Sequence, residues 1–352
     1  DPALVRSLAE VGIAFLLFAV GTQVHLDHLR RVQKGGVMGG LLQIVLTIGL
    51  GALVARWVGS GWTSAIFFGA LVAISSTTVA VKLLLDSGHL DHLHGRIAIA
   101  ILFVQDLFVI PLILVLPLIA NPSASSALEI ITAMAKATGL LVVSVLAGAR
   151  LIPWLLDRVA RSGSQELLIF AAITIALGSA LGTQALGVSA AVGAFLAGVA
   201  ISQGGLSSRI GALFSPFRDL FSLFFFISVG TLLDLTLLRQ ELAAAAITVL
   251  LVVAGKFALV TLVTRLFGYR RKVSIQVGLY LAQVGELSFV LAGLGLAQGV
   301  ISAKLYALMV TGAIASIFIN PFLVQFGPAA LEWASRRKGL HPLAADSRRE
   351  PH

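Results

Sequence analysis

The chain of 352 residues contains no cysteine, which excludes a disulfide framework, a thiolate metal site and a cysteine nucleophile. Charge is also scarce. Asp, Glu, Lys and Arg make up 12% of residues, against roughly 25% in an ordinary soluble domain. A soluble fold this poor in charge could not cover its surface, so a soluble enzyme and a disordered chain are excluded. The sequence has no phosphate-binding loop, nucleophile elbow or zinc motif. The net charge of +9 suggests a nucleic-acid binder, but Lys and Arg fall in short clusters between apolar runs. That is the pattern of loops at a membrane surface, not of a DNA-binding face. The expected environment is a lipid bilayer, with no nucleic-acid partner.

What is abundant agrees. Hydrophobic residues make up 58%, mean hydropathy is +1.00, and the 35 glycines suit closely packed membrane helices. A membrane helix needs about 20 mostly apolar residues. Eleven such runs are present, at 8–26, 36–58, 62–85, 97–119, 128–156, 166–183, 185–202, 212–233, 242–267, 273–297 and 301–326. The expected fold is an all-α polytopic membrane protein. In the eighth run Pro216, Arg218 and Asp219 leave a clean apolar stretch only from Leu220 to Leu233.

Loop charge sets orientation. With residues near a run's end counted to the adjoining loop, one alternating set of loops and the tail hold 19 of the 25 Lys and Arg residues, the other set holds 4, and Lys136 and Lys256 lie deeper inside runs. The rich set faces the cytoplasm. The first run then enters from outside and the tail, 328–352, is cytoplasmic, as in a multi-pass protein of the plasma (inner) membrane. The chain opens on Asp1-Pro2 with neither an initiator Met nor a cleavable signal pattern, which reads as a segment of a longer protein.

Ionisable groups within spans are costly and are candidates for function. Lys136 lies near a span end and can snorkel. Asp106 cannot: it sits mid-run beside Gln105, ten residues after Arg96 and eleven before Pro117. Lys256 is also mid-run, and the carboxylate expected to pair with it is Asp106. Glu286 lies in a segment where Gln283, Gly285 and Ser288 interrupt an apolar helix. Ser75, Ser76, Thr77 and Thr78 do the same in an earlier run. Such clusters suit helices that break near the midplane and free backbone groups for a cation. One cluster is early and one late, in spans whose parity fits an inverted repeat. Apart from a transported cation at Asp106, no metal or cofactor is expected. His25, His28, His89, His92 and His94 read as loop residues. The phenylalanines at 214–226 read as lipid-facing or packing residues.

The segments ISSTTVAVKLLLDSG, GRIAIAILFVQDLFVIPLI, AAVGAFLAGVAIS, PFRDLFSLFFFISVGTLLD and LAQVGELSFVLA resemble the monovalent cation:proton antiporter-2 family, nearest its Kef-type potassium/proton branch. The likeness runs from about Leu8 to Gly327. It implies a transmembrane antiporter domain at 1–327, with core helices at about 36–119 and 242–326, scaffold helices at about 8–26 and 166–233, and a linker helix at about 128–158. It further implies two broken, crossed helices, elevator-type alternating access and a homodimer. Asp106 would match the family's ion- and proton-binding aspartate, with Gln105 and Ser75–Thr78 around it. Lys256 would match its supporting lysine, with Glu286 and Gln283 nearby. Gln105 stands where the electrogenic sodium/proton branch carries a second aspartate.

The chain departs from the family pattern in three places. The resemblance leads us to expect about two further helices before Leu8, outside this sequence; the cytoplasmic nucleotide-binding regulatory domain of Kef proteins lies outside it as well, and SSRIGALFSPFRD lacks the acidic run of glutathione-gated members. The expected function is exchange of a monovalent cation, K+ ahead of Na+, for H+, the two competing for one shared carboxylate at Asp106, so that exchange is expected to be electroneutral. A cation channel and an organic-anion symporter remain alternatives at this point.

Overall fold

The computed structural model describes residues 34–120, 154–185, 190–202, 204–206, 209–214 and 241–337, with single positions between 15 and 22, between 132 and 152, and at 216 and 220. All regular structure among the described residues is helical. The helices are α1 (Lys34–Trp57), α2 (Trp62–Ala73), α3 (Thr77–Asp86), α4 (Leu93–Ala120), α5 (Gln165–Ala185), α6 (Ala190–Ser202), α7 (Leu242–Leu266), α8 (Arg271–Leu281), α9 (Glu286–Ala297) and α10 (Ala303–Arg337). Within α7, Leu251–Gly255 forms a π-helical turn just ahead of Lys256.

Six of these segments are long and apolar enough to cross a membrane, and seven if the bent pair α8–α9 counts as one span. They coincide with the runs expected at 36–58, 62–85, 97–119, 166–183, 242–267, 273–297 and 301–326. Of the run expected at 185–202, Ala190–Ser202 is helical, and 186–189 lie outside the described residues. The runs at 8–26, 128–156 and 212–233 lie largely outside the described residues, as do Lys136, Arg218, Asp219 and the tail beyond Arg337. Helix α10 continues past the expected span end at 326 to Arg337, with Pro321 and Pro328 inside it.

The chain divides into two compact units, Asp1–Arg31 with Ile113–Leu232, and Val32–Leu112 with Leu233–His352. In the first, α5 and α6 bring Ala172, Ala176 and Ala180 against Ala194, Ala197 and Ile201. Small side chains let the backbones approach, which is how helices associate where lipid offers no hydrophobic driving force. At this contact Ser179 Oγ donates to Gly193 O at 2.8 Å.

The second unit uses the same device. A Cβ on Gly51 would lie 2.6 Å from Gly69 Cα, and one on Gly40 would lie 2.8 Å from Val104 Cβ. These glycines seat α1 directly on α2 and on α4. Gly69→Ala should therefore cost about 2–3 kcal/mol, the upper end of overpacking. Gly49→Ala, where a Cβ meets nothing within 4 Å, should be neutral or stabilise by up to about 1 kcal/mol. Thermal melts of the two variants side by side check the pair. A further core joins α3, α4, α7 and α8 through Ala80, Leu84, Ile101, Val260, Val277 and Leu281.

Large apolar side chains such as Leu41, Val45, Leu53, Phe318 and Phe322 are exposed along these spans, as lipid-facing residues are. Trp57 and Trp62 flank the α1–α2 turn, where membrane-interface aromatics belong, with the Arg56 guanidinium 5.0 Å from the Trp62 ring centroid.

Candidate functional site

Among the described residues two helices are interrupted, and they meet at their interruptions. Helix α2 stops at Ala73, Ile74 and Ser76 are extended, and α3 starts at Thr77 with Ser76 Oγ accepting from Val79 N at 3.2 Å. Serine is well placed here because its short side chain caps the restarted helix. Helices α8 and α9 are bent by 49° about residues 282–285. Gly285 is required by contact: a Cβ there would lie 2.8 Å from Ser75 O. The two backbones touch, and Gly285 N donates to Ile74 O at 3.0 Å.

A broken helix leaves backbone donors and acceptors without partners, at a cost of several kcal/mol each in hydrocarbon. Buried side chains answer many of them. Gln283 Oε1 accepts from Ser76 N at 2.8 Å while its Nε2 donates to Ser76 O at 3.0 Å. Ser75 N donates to Gln105 Oε1 at 2.7 Å, and Ser75 Oγ donates to Leu281 O at 3.2 Å. Ser288 Oγ reaches Leu71 O at 2.7 Å. From α10, Ser316 Oγ accepts from Val284 N at 3.1 Å and Asn320 Nδ2 donates to Leu279 O at 2.8 Å.

Lys256 completes the set. It is fully buried, and Nζ donates at 2.9 Å to both Val72 O and Gln283 O. These carbonyls belong to the C-terminal ends of α2 and α8, where a cation is favoured. The expected pairing of Lys256 with Asp106 is therefore corrected: among the described residues its partners are two carbonyls. The physical reason is that the breaks expose acceptors closer to the ammonium than the carboxylate is.

Asp106 lies mid-way along α4 beside this crossing, partly buried. Thr77 Oγ1 donates to Asp106 Oδ2 at 3.0 Å. Thr77 is the first residue of α3, so the carboxylate addresses the N-terminal end of a half-helix. Thr78 and Glu286 are exposed, and Glu286 occupies the first turn of α9, where a carboxylate suits the helix dipole. Of the residues singled out in the sequence, Asp106 and Thr77 meet directly. Gln105, Ser75, Ser76 and Gln283 are buried and engaged in holding the breaks. Gln43, Thr47, Ser316 and Asn320 were not singled out. Their signal was present: each pair is polar at i and i+4 on an otherwise apolar helix.

The loop between α3 and α4 carries His89 and His92, while His94 lies in the first turn of α4 and is buried, which corrects its expected place in the loop. His89 and His94 pack against Tyr280 of α8 and His92 against both of them. His89 Nδ1 lies 2.9 Å from Tyr280 OH, and the His94 ring stacks on Tyr280. Burial, then the neighbouring His92 and Lys272, holds His89 below its ordinary pKa of 6.5, so it stays neutral further into acid. Among the described residues no group of three or more His, Cys, Asp or Glu is arranged to hold a metal. His25, His28 and most of the Phe214–Phe226 cluster lie outside the described residues.

The family model described as sodium/hydrogen exchanger, transmembrane, matches residues 3–326. YbaL of Escherichia coli (strain K12), whose name marks it a candidate cation/proton antiporter, is 34% identical over 331 residues, 92% of this chain and 59% of that protein. K(+) efflux antiporter 4 of Arabidopsis thaliana is 34% identical over 333 residues, 93% of this chain and 56% of that protein. The chain thus spans a little over half the length of these curated relatives. The solved structure of the sodium proton antiporter MjNhaP1 from Methanocaldococcus jannaschii superposes with a TM-score of 0.66, covering 91% of this chain and 83% of that one at 16% identity. At that identity the likeness concerns the fold alone.

Proposed function

The chain belongs to the sodium/hydrogen exchanger transmembrane family, and we propose that it exchanges a monovalent cation, K+ ahead of Na+, for H+ at the Asp106 carboxylate. It is an antiporter, not an enzyme: the relatives are transporters. The observation that carries the reading is the placement of Asp106. A carboxylate sits mid-helix in an apolar span, beside two interrupted helices, with the Thr77 hydroxyl on one oxygen. Held there, it takes either a proton or a cation. The empty, charged form crosses poorly because of its desolvation cost, which couples the two fluxes. Relatives named K(+) efflux antiporters favour K+.

The site lies wholly in the unit formed by Val32–Leu112 and Leu233–His352. Movement of that unit as a body would supply elevator-type alternating access. The same proposal includes a homodimer in the plasma membrane, with the tail on the cytoplasmic side where the Lys- and Arg-rich loops lie. Gln105 is neutral and committed to Ser75 N, so a single carboxylate carries one K+ or one H+ and the loaded site has the same charge either way. Exchange is then one for one and electroneutral.

Proteoliposomes loaded with a pH dye and challenged with K+, Na+, Rb+ or Li+ test this. K+ should drive proton flux with no organic solute present, and an imposed membrane potential should leave the rate unchanged. Flux with Na+ alone would reassign the cation. A sizeable transport current on a solid-supported membrane would reject electroneutrality and point to titration at Glu286.

A further inference from the structure

Helix α1 contributes a residue that touches neither Asp106 nor either break's own polar side chains, yet is hydrogen-bonded to the end of α2 at the first break and to the neighbour of Asp106. Gln43 is fully buried. Its Nε2 donates to Thr47 Oγ1 at 3.0 Å and to Ala73 O at 3.3 Å. Its Oε1 accepts from Gln105 Nε2 at 2.7 Å. Gln105 in turn accepts Ser75 N at 2.7 Å. An amide has two donors and one acceptor oxygen. With Ala73 O able only to accept and Ser75 N able only to donate, the two ends of the relay fix the orientation of both amides. Ala73 O, at the end of α2, and Ser75 N, within the break itself, are backbone groups freed by the first interruption.

We propose that Gln43 is a positioning residue for ion exchange: through Gln105 it fixes the break between α2 and α3, and so sets Thr77 against the Asp106 carboxylate. The proposal rests on Asp106 being the exchange site. Two features support a built arrangement. Gly40, one turn before Gln43, lets α1 close on Val104 of α4, which brings the two amides within reach. Gln105 and Asp106 are adjacent, so whatever holds the Gln105 amide also holds the α4 backbone at Asp106. The relay also keeps position 105 neutral: a carboxylate there would face the Gln43 oxygen, and turning Gln43 over would leave Ala73 O without its donor.

The test uses the whole chain and two variants in the proteoliposome assay with K+. Gln43→Leu removes the relay. It should raise the half-saturating K+ concentration about tenfold while the maximal rate stays within about threefold, a split that a packing defect alone would not produce. Gln43→Glu is close in shape, and its protonated form can still donate to Ala73 O and accept from Gln105. Its ionised form cannot donate. The ratio of variant to wild-type affinity should therefore approach one in acid and fall as pH rises, and its melting temperature relative to wild type should fall in parallel.

Wild-type affinity in Gln43→Leu, or a Gln43→Glu ratio that does not move with pH, overturns the proposal. A Gln43→Glu chain that does not fold even in acid overturns the donor and acceptor assignment. A wild-type protein that exchanges no monovalent cation rejects the function proposed above instead. In that case the pH dependence of Gln43→Glu melting still decides whether the relay exists.

Discussion

Asp106→Asn should reduce cation/proton exchange by at least about 100-fold in proteoliposomes while the protein folds, inserts and melts within a few degrees of wild type. Asn has nearly the shape of Asp and can still accept from Thr77 Oγ1, so the contact at 3.0 Å survives. What it lacks is an alternation between charged and neutral states. A carrier whose site cannot titrate has no means of exchanging a proton for a cation, and the loss concerns chemistry rather than stability. Asp106→Glu keeps the titration and should retain partial activity, because only the position of the oxygens changes. Retained exchange in a well-folded Asn variant would move the site elsewhere, with Glu286 the next carboxylate to examine.

Lys256→Met should act in the opposite manner, on the fold first. Its Nζ is the shared donor of two carbonyls, Val72 O and Gln283 O, at the meeting point of the broken helices. Losing it leaves two buried acceptors unpaired, each costing about 1–3 kcal/mol. A combined loss of about 3–5 kcal/mol corresponds to a melting temperature lowered by roughly 10 °C, at about 2–4 °C per kcal/mol for a chain of this general size. Lys256→Gln retains two amide donors and should recover part of the loss. Transport should slow in both variants, and the ratio of protons to cations should not change. A Lys256→Met protein with wild-type melting and an altered charge per cycle would show that the lysine carries transported protons.

These two residues also show what the sequence made legible. Asp106 and Lys256 stand out because an ionisable group in hydrocarbon has no inexpensive resting place. The breaks stand out for a related reason: Ser75–Thr78 and Gln283–Ser288 interrupt apolar runs with groups able to satisfy freed backbone. The spans at 36–58, 242–267 and 301–326 were readable from length and hydropathy. The partner of Lys256 was not. Charge complementarity suggested Asp106, but the acceptors are backbone carbonyls, which every residue has and which become available only where a helix ends. Gln43 does not stand out in the sequence because a single amide in a span carries no net charge. Its importance arises from Gly40 and Val104 bringing α1 against α4, a packing relation between residues some sixty positions apart.

Competition for one carboxylate is measured most directly by the apparent K+ affinity as a function of pH. Proton flux in proteoliposomes, titrated with K+ at a series of fixed, equal internal and external pH values from about 6 to 9, a range bracketing the titration of a working acid–base group, gives that curve. The half-saturating K+ concentration should rise toward tenfold for each unit of acidification below the titration of Asp106, and level off above it, with the maximal rate at saturating K+ little affected. A half-saturating concentration that stays constant across the whole range would contradict a shared site.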